Sequence, residues 1–236
     1  MPRRTPWLLF LALALASPAV ARPADPLWSR AVEAASRAKE WSPGEMRLAI
    51  QVADDEGKVL ETWDNRYRLS TGADGTVRTE VVSAFHNRKD ETQKEREAQA
   101  KRELNARSGG APTMSGFGDD PFEPSVQDAV EIRRLAGTRD IAGASCVAFS
   151  YILAKPKGAS VEGTAWLEAA TGFPVEVVSS PEPLPRGVHE MSTTVRYAGG
   201  LVSEVLVEGS GSLLFFKRRF SSVITLGGWV RKPLVR

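Results

Sequence analysis

The feature that most constrains the fold is an alternation of apolar and other residues with a period of two, interrupted by short turns. The first run places Met46, Leu48, Ile50 and Val52 on one side of an extended chain. Because successive side chains of a strand point to opposite faces, this run predicts a β-strand with one apolar face. The sequence Asp-Asp-Glu-Gly at 54–57 follows and favours a turn that returns the chain antiparallel.

The same pattern recurs on both sides of a charged segment in the middle of the chain. Two more alternating runs, 59–69 and 77–85, are separated by a turn signal at 72–75 and complete an antiparallel meander. Gly199-Gly200 is a strong hairpin signal, and Gly209-Ser210-Gly211 predicts a further turn. The remaining predicted strands are 130–135, 146–153, 163–168, 173–179, 190–197, 201–207 and 214–226, with a turn region at 138–143. This spacing favours an antiparallel barrel or sandwich over βαβ units.

One helix is predicted before the first strand. Between Pro26 and Trp41, apolar residues recur near the helical period of 3.6 residues. Asp25 can cap this helix, and Pro43-Gly44 follows it as a stop signal. The predicted fold class is therefore mainly β with an N-terminal helix.

A charged segment interrupts the strands at 88–124. Residues 88–107 are nearly all charged or helix-forming, with favourable i,i+4 pairs such as Glu97 with Lys101, but they have no apolar stripe. They predict an exposed helix or a mobile charged excursion, and 108–124 predicts a long loop rich in Gly, Pro and Asp. A binding arm for nucleic acid or a protein partner is the alternative, but the balance of acids and bases favours a solvated surface.

The first residues carry the features of a secretory signal peptide. Two arginines precede an apolar run at 7–16, and Ala19-Val20-Ala21 forms a small-residue cleavage site. The run is shorter than the roughly 20 residues that span a bilayer, and no cysteine for a lipid anchor lies near the site. A buried N-terminal helix is the alternative. The prediction is a signal peptide at 1–21 and one domain at 22–236, periplasmic where an outer membrane exists and otherwise secreted.

The charge balance excludes an obvious nucleic-acid surface. The predicted signal peptide contains two of the 31 basic residues and no acid, which leaves 29 basic and 29 acidic residues. A neutral chain has no electrostatic footprint for nucleic acid. The single cysteine, Cys146, rules out an intrachain disulfide. Its apolar neighbours predict a buried, unreactive thiol rather than a redox or intermolecular one.

The sequence has no recognisable motif for catalysis or metal binding. His86 and His189 are the two histidines, and neither stands at metal-ligand spacing from another His or Cys. Asp119 and Asp120 lack the calcium-loop pattern. The prediction is a protein that is not an enzyme, with no catalytic residue, metal or cofactor. A hydrolase whose Ser, His and Asp meet only in the folded chain is the alternative.

Large apolar side chains on the predicted strands suggest a binding surface. If the sheet bends around one helix, its inner face can leave an apolar groove. Each CH₂ group of an acyl chain buried there contributes about 0.8 kcal/mol. The alternative is that these side chains simply fill the core. The predicted lipid-binding residues are Trp63, Phe149, Tyr151, Trp166, Phe216 and Phe220.

The segment GTAWLEAATGFPVEV at 163–177 joins two apolar strands through an acidic residue, a Thr-Gly turn and a proline. Together with the strand entry at 141–147 and the order of the elements, it resembles periplasmic lipoprotein-carrier proteins of the LolA/LolB type. The resemblance implies a large curved antiparallel sheet forming a half-open barrel, whose helix-covered inner face holds lipid. The charged insertion at 88–107 has no counterpart in that pattern.

The function that this resemblance implies is binding of a lipid or of lipoprotein acyl chains, as a carrier in outer-membrane lipoprotein sorting. Periplasmic regulators of envelope stress share the same barrel. A sensor or scaffold that contacts an envelope protein partner is therefore the alternative. Either role is compatible with peripheral contact with a membrane, and neither involves nucleic acid.

Overall fold

The computed structural model describes residues 25–72, 76–107, 119–213 and 216–232, with the backbone alone at 103–107, 213 and 216. The predicted signal peptide at 1–21 lies outside these residues, so its cleavage and the domain boundary stay predictions. No described helix is long and apolar enough to cross a membrane.

Eleven strands form one antiparallel sheet, and two short strands form a second sheet. The strands are β1 (Trp41–Ser42), β2 (Glu45–Ala53), β3 (Val59–Thr71), β4 (Val77–His86), β5 (Lys89–Asp90), β6 (Val130–Ile141), β7 (Ala144–Ala154), β8 (Ser160–Glu168), β9 (Pro174–Glu182), β10 (Val188–Ala198), β11 (Leu201–Leu213), β12 (Phe216–Gly227) and β13 (Val230–Arg231). The main sheet has the order β5-β4-β3-β2-β12-β11-β10-β9-β8-β7-β6 and is not closed into a barrel. The predicted fold class is confirmed.

The main sheet is continuous because strands from opposite ends of the chain pair near its centre. β2 lies antiparallel to β12, with Val52 opposite Phe220. All other neighbours in this sheet are consecutive in the chain. The small sheet of β1 and β13 forms a second clasp, in which Trp41 is opposite Arg231. The Arg231 guanidinium also donates a hydrogen bond to Glu40 Oε2 at 2.6 Å.

Helix α1, Pro26–Ala38, packs on one face of the sheet. As predicted, Asp25 caps it by accepting a hydrogen bond from the first turn at 2.9 Å. Trp28 anchors the helix, with its ring centroid 5.7 Å from Phe149 and 6.3 Å from Tyr151 on β7. The other buried members of this core are Ala31, Phe122, Val147, Leu153, Val161, Ala165, Leu167, Val177, Val195 and Val205.

Helix α2, Thr92–Arg107, is the helix predicted within the charged insertion. It lies against β4 through polar contacts. Arg96 Nε donates to the carbonyl of Val81 at 3.1 Å, and the Thr92 hydroxyl accepts from the amide of Ala84 at 3.0 Å. Val81 and Ala84 are buried. These hydrogen bonds to the β4 backbone show how a helix without an apolar stripe attaches to the sheet.

The turn predicted at Gly209-Ser210-Gly211 is wrong, because β11 runs through all three residues. A Cβ on Gly209 would lie 2.5 Å from the Phe220 ring, and one on Gly211 would lie 2.7 Å from the Gly187 carbonyl oxygen. These glycines therefore allow close approach between neighbouring strands. In the sequence alone, that role looks the same as a turn signal.

Two predicted boundaries also differ from the structure. The N-terminal helix ends at Ala38 and does not reach Trp41, which pairs in β1. β6 extends to Ile141, so the turn expected at 138–143 is confined to Ala142-Gly143. Both turn residues have positive φ, at 50° and 83°.

Gly163 on β8 should not tolerate a side chain. A Cβ there would collide with the carbonyl oxygen of Val178 and lie 2.8 Å from the Tyr151 ring. We expect Gly163→Ala to lower the free energy of unfolding by about 1–3 kcal/mol, the usual cost of overpacking. Urea unfolding measures this. Gly227→Ala is the matched control, because a Cβ on Gly227 meets no atom within 4 Å. Equal losses in both variants would contradict the close packing at Gly163.

Candidate functional site

One row of residues crosses the sheet from β7 to β4 on the face that carries α1. Residues directly opposite each other in an antiparallel sheet share a face. The register therefore leads strand by strand from Tyr151, beside Trp28 of α1, to His86. The row consists of Tyr151, Gly163, Ser179, Thr193, Val207, Ser222, Ile50, Trp63 and His86. We call it the cross-sheet row, and the face that carries α1 the helix face.

Both helices lie on the helix face, over its two halves. α1 contacts β8, and α2 contacts β4. Tyr67 on β3 pairs with Met46, which the register places on the helix face. Burial raises the pKa of Tyr67, and the nearby Glu95 carboxylate of α2 raises it further. α2 therefore approaches the sheet from the same side as α1.

The distance between the helices leaves part of the sheet between them. β8 and β4 are seven strand spacings apart, or about 34 Å at about 4.8 Å per spacing. Each helix is about 10 Å wide and extends about 5 Å into that span. Phe122 covers part of the sheet between the helices, because its ring lies 6.5 Å from that of Tyr197 on β10. Most of the helix face of β11, β12, β2 and β3 therefore lies between the two helices, although Val205 on β11 belongs to the core under α1.

The side chains on this stretch are mostly apolar and half-buried. They include Leu48, Ile50, Val52, Trp63, Val207, Phe220 and Ile224, which we call the central apolar surface. Val207 and Ile224 also pack against the core beneath α1. Glu61 and Asn65 border the surface on β3. An apolar surface with a polar border is typical of a binding site.

The opposite face of the sheet carries ion pairs. Arg47 Nη2 lies 2.7 Å from Asp64 Oδ2 on the neighbouring strand. The hydrogen bond from Arg47 lowers the pKa of Asp64. Arg196 on β10 pairs with Glu176 on β9 and with Glu204 on β11. Charged pairs across strands favour a solvated face, although Ala49, Phe85 and Val223 on this face border a cleft of about 520 Å³.

Two buried polar atoms at the ends of the cross-sheet row have no hydrogen-bond partner in the described part of the chain. They are Tyr151 Oη and His86 Nε2. The His86 ring stacks on Trp63 with centroids 4.8 Å apart. Its Nε2 lies 3.8 Å from Glu61 Oε2, which is beyond hydrogen-bond distance. Buried polar groups are nearly always paired, so each of these atoms needs an explanation.

The Tyr151 hydroxyl is held in its protonated form. Burial raises the pKa of Tyr151 to about 12, and the residue is only 2% exposed. Ser179 lies near enough to oppose this shift, but not in a geometry that makes a hydrogen bond. The negative charges of Asp120 and Asp119 raise the pKa further. The hydroxyl therefore remains a hydrogen-bond donor across the physiological pH range.

The structure places the predicted lipid-binding residues in different environments. Trp63 and Phe220 belong to the central apolar surface. Phe149 and Tyr151 share the helix face but are buried beside α1. These four residues therefore share one face of the sheet, and only Trp63 and Phe220 lie between the helices. Contact with lipid stays a prediction for all four.

The other two predicted residues stand apart from these four. Trp166 pairs with Ala148 and Glu176 on the opposite face, where the Arg139 guanidinium lies 5.6 Å from its ring. The side chain of Phe216 lies outside the described residues. A lipid-binding role for these two residues also stays a prediction.

Sequence reasoning missed the aliphatic members of the central apolar surface. Leu48, Ile50, Val207 and Ile224 were read as ordinary strand residues, and only aromatic side chains were singled out. They can be found from the alternation of side chains along each strand once the strands are aligned, because the strand register places each of them on the same face as Trp63. This alignment requires the pairing of β2 with β12, which no local sequence pattern predicts.

Other chemistry in the described ranges is limited to one Ser–His contact. His189 Nε2 lies 2.7 Å from Ser212 Oγ at an exposed position, and no acid among those residues hydrogen-bonds to this histidine. No group of three or more His, Cys, Asp or Glu side chains suited to a metal ion occurs there either. Cys146 is buried, as predicted.

The chain resembles several solved structures. A LolA superfamily protein from Nitrosomonas europaea is 9% identical, with a TM-score of 0.37, over 88% of this chain and 93% of that chain. An outer membrane lipoprotein-sorting protein domain from Vibrio parahaemolyticus is 10% identical, with a TM-score of 0.29, over 89% and 95%. The Pseudomonas aeruginosa MucA/MucB complex gives 10% identity and a TM-score of 0.24, over 88% of this chain and 98% of the matched chain.

No family model and no curated protein matches the sequence. The resemblance to the LolA/LolB type is found again in these structures at the level of the fold. TM-scores of 0.37 and below carry no argument about function. The function proposed below therefore rests on the faces of this chain's own sheet.

The raised pKa of Tyr151 predicts a loss of stability in alkaline solution. The folded-state value of about 12 exceeds the unfolded value of about 10. The resulting stabilisation is complete below pH 10 and is lost as the pH rises toward 12. We expect Tyr151→Phe to gain about 1.3 kcal/mol relative to the wild type between about pH 8.5 and about pH 11. Urea unfolding at each pH measures this, and a pH-independent difference would contradict the burial of the hydroxyl.

Proposed function

We propose that the protein is an exported binding protein that holds an acyl chain against the central apolar surface. The observation that carries this proposal is the half-buried apolar surface on the helix face of the sheet. Half-buried apolar side chains lie between two helices on one face, whereas arginine–carboxylate pairs occur on the other. The uncovered face of an antiparallel sheet is normally polar. A half-exposed apolar region between helices therefore favours an apolar ligand.

The energetics of such a ligand depend on its length. An acyl chain with about 14 buried CH₂ groups gains about 11 kcal/mol. An association cost of about 4 kcal/mol leaves about 7 kcal/mol, which corresponds to micromolar affinity. Short chains do not offset the association cost. The surface is therefore suited to long-chain lipids rather than to small apolar molecules.

Within this class we infer a periplasmic carrier for lipid or lipoprotein acyl chains. The basic and apolar start of the chain supports export. The hairpin motif at 163–177 supports the sorting role by resemblance. Peripheral contact with a membrane is supported by Trp41 and Val230, which are 39% and 54% exposed beside Arg231.

A sensor or scaffold for an envelope protein is the second candidate. The observation that favours it is α2, which uses one side for β4 and exposes Lys94, Glu97 and Lys101 to solvent. Charge reversal at Lys94 and Lys101 should weaken a protein partner on α2 and leave acyl binding unchanged. Loss of acyl binding in that double variant would argue against separate roles for the two regions.

Brominated acyl chains should quench Trp63 on contact. Bromine quenches tryptophan fluorescence only at short range, and Trp63 belongs to the central apolar surface whereas Trp166 lies on the opposite face. We expect quenching of the wild type by a brominated fatty acyl chain, with most of it lost in Trp63→Phe and retained in Trp166→Phe. Equal quenching in the two variants would place the ligand elsewhere.

Two adjacent residues of β11 provide a second test. Val207 faces the central apolar surface and Leu206 faces away, and both are half-buried. We expect Val207→Asn to weaken binding of a fluorescent acyl probe about tenfold, because a polar group must be buried under the ligand. Leu206→Asn should leave the affinity within about twofold of the wild type. Weakening by both variants alike would indicate a general loss of fold, which circular dichroism detects.

A further inference from the structure

The ring of Tyr151 lies across β8 and directs its hydroxyl toward the central strands. A Cβ on Gly163 would lie 2.8 Å from both Cε1 and Cζ of Tyr151, so the glycine makes room for the ring. The next residues along the cross-sheet row are Ser179 on β9 and Thr193 on β10. The hydroxyl therefore lies within the core under α1 and points along the row toward β9.

Tyr151 Oη is a stronger candidate for ligand contact than His86 Nε2, the other buried unpaired atom. Each atom has a polar side chain close by, Glu61 Oε2 at 3.8 Å from His86 Nε2 and Ser179 beside Tyr151. Tyr151, unlike His86, borders the cleft described below. Gln127, a polar neighbour beneath α1, is already engaged, since it accepts from Trp28 Nε1 at 2.9 Å and donates to a backbone carbonyl at 2.8 Å. A buried hydroxyl without a partner destabilises the empty protein, and a bound acceptor removes that cost.

A cleft also borders this region of the sheet. Trp28, Gln127, Tyr151 and Gly163 are among the residues that border a cleft of about 1110 Å³ at this end of the sheet. The rest of the cleft is lined from β6, β7 and β8, and Tyr151 Oη itself is buried. A ligand group that enters the cleft therefore reaches the hydroxyl only when side chains around Tyr151 shift.

The surroundings of the hydroxyl select an uncharged acceptor. A carboxylate brought to a residue that is 2% exposed would lose its hydration. The negative charges of Asp120 and Asp119, which act on Tyr151, would also repel it. The carbonyl oxygen of an ester or an amide accepts a hydrogen bond without a net charge.

We propose that the Tyr151 hydroxyl donates a hydrogen bond to the acyl carbonyl oxygen of the ligand. The protein then binds acyl esters and amides in preference to free fatty acids and to apolar chains without a carbonyl. This inference rests on the proposed function and adds the chemistry of the ligand's polar end. A glycerolipid supplies an ester and an N-acylated lipid supplies an amide, and both present the same carbonyl.

Binding of four ligands with the same chain length to the full mature protein tests the proposal. They are the ester 1-monopalmitoylglycerol, its ether analogue 1-O-hexadecylglycerol, the amide N-palmitoylethanolamine and palmitate. We expect the wild type to bind the ester and the amide about tenfold more tightly than the ether. Palmitate should also bind more weakly than the ester. Tyr151→Phe should bind the ester and the amide only as tightly as the ether, with the affinity for the ether unchanged.

Tyr67→Phe is the matched control. The Tyr67 hydroxyl accepts a hydrogen bond from Asn65 Nδ2 at 3.1 Å, so this variant loses a structural contact and should keep the ester preference. Urea unfolding at neutral pH should show a loss for Tyr67→Phe and none for Tyr151→Phe. An equal loss in Tyr151→Phe would show a structural partner and overturn the inference.

The ligand series separates this inference from the function on which it rests. Equal binding of ester and ether by the wild type, or an ester preference that survives in Tyr151→Phe, would overturn the carbonyl contact alone. Failure of all four ligands to bind would overturn the proposed function and this inference with it.

Discussion

The pairing of β2 with β12 is the contact on which the rest of the structure depends. Every other neighbour in the main sheet follows directly along the chain, whereas these two strands come from opposite ends of the domain. Without this pairing, the strands would separate into one group that carries α2 and another that carries α1. The register also matters, because Ile50 opposite Ser222 keeps both helices on one face. A slip of one residue would turn Ile50 toward the ion-paired face.

The sheet is too wide for its two helices, and this mismatch produces the candidate site. A helix is about 10 Å wide and covers roughly two strands, whereas strands are about 4.8 Å apart. Eleven strands therefore leave a central stretch that neither helix covers. The alternation that predicts a buried face continues through this stretch, so the same pattern builds a core under α1 and a binding surface between the helices. Tyr151 lies in the core under α1, with its ring across β8.

Local patterns predicted the elements well because strands, turns and helix caps are set by neighbouring residues. The cap at Asp25 and the hairpin at Gly199-Gly200 both occur as expected. The failure at Gly209 has a physical reason. Gly209 makes room for the Phe220 ring of the neighbouring strand β12. A local sequence pattern cannot reveal this contact between strands. Trp166 is a second residue that the local pattern could not place. Its size suggested a binding role, but the strand register puts it on the face opposite the helices.

The sequence by itself determined the class of fold and the candidate apolar residues, because alternation, turns and caps act over a few neighbouring positions. The sequence also contains no recognisable catalytic motif. Only the tertiary structure decided which apolar residues share a face, which of them α1 covers, and that the Tyr151 hydroxyl has no hydrogen-bond partner among the described residues. These properties depend on the pairing of distant strands and on how far each helix reaches across the sheet. Neither the strand pairing nor the reach of the helices can be deduced from the spacing of neighbouring residues.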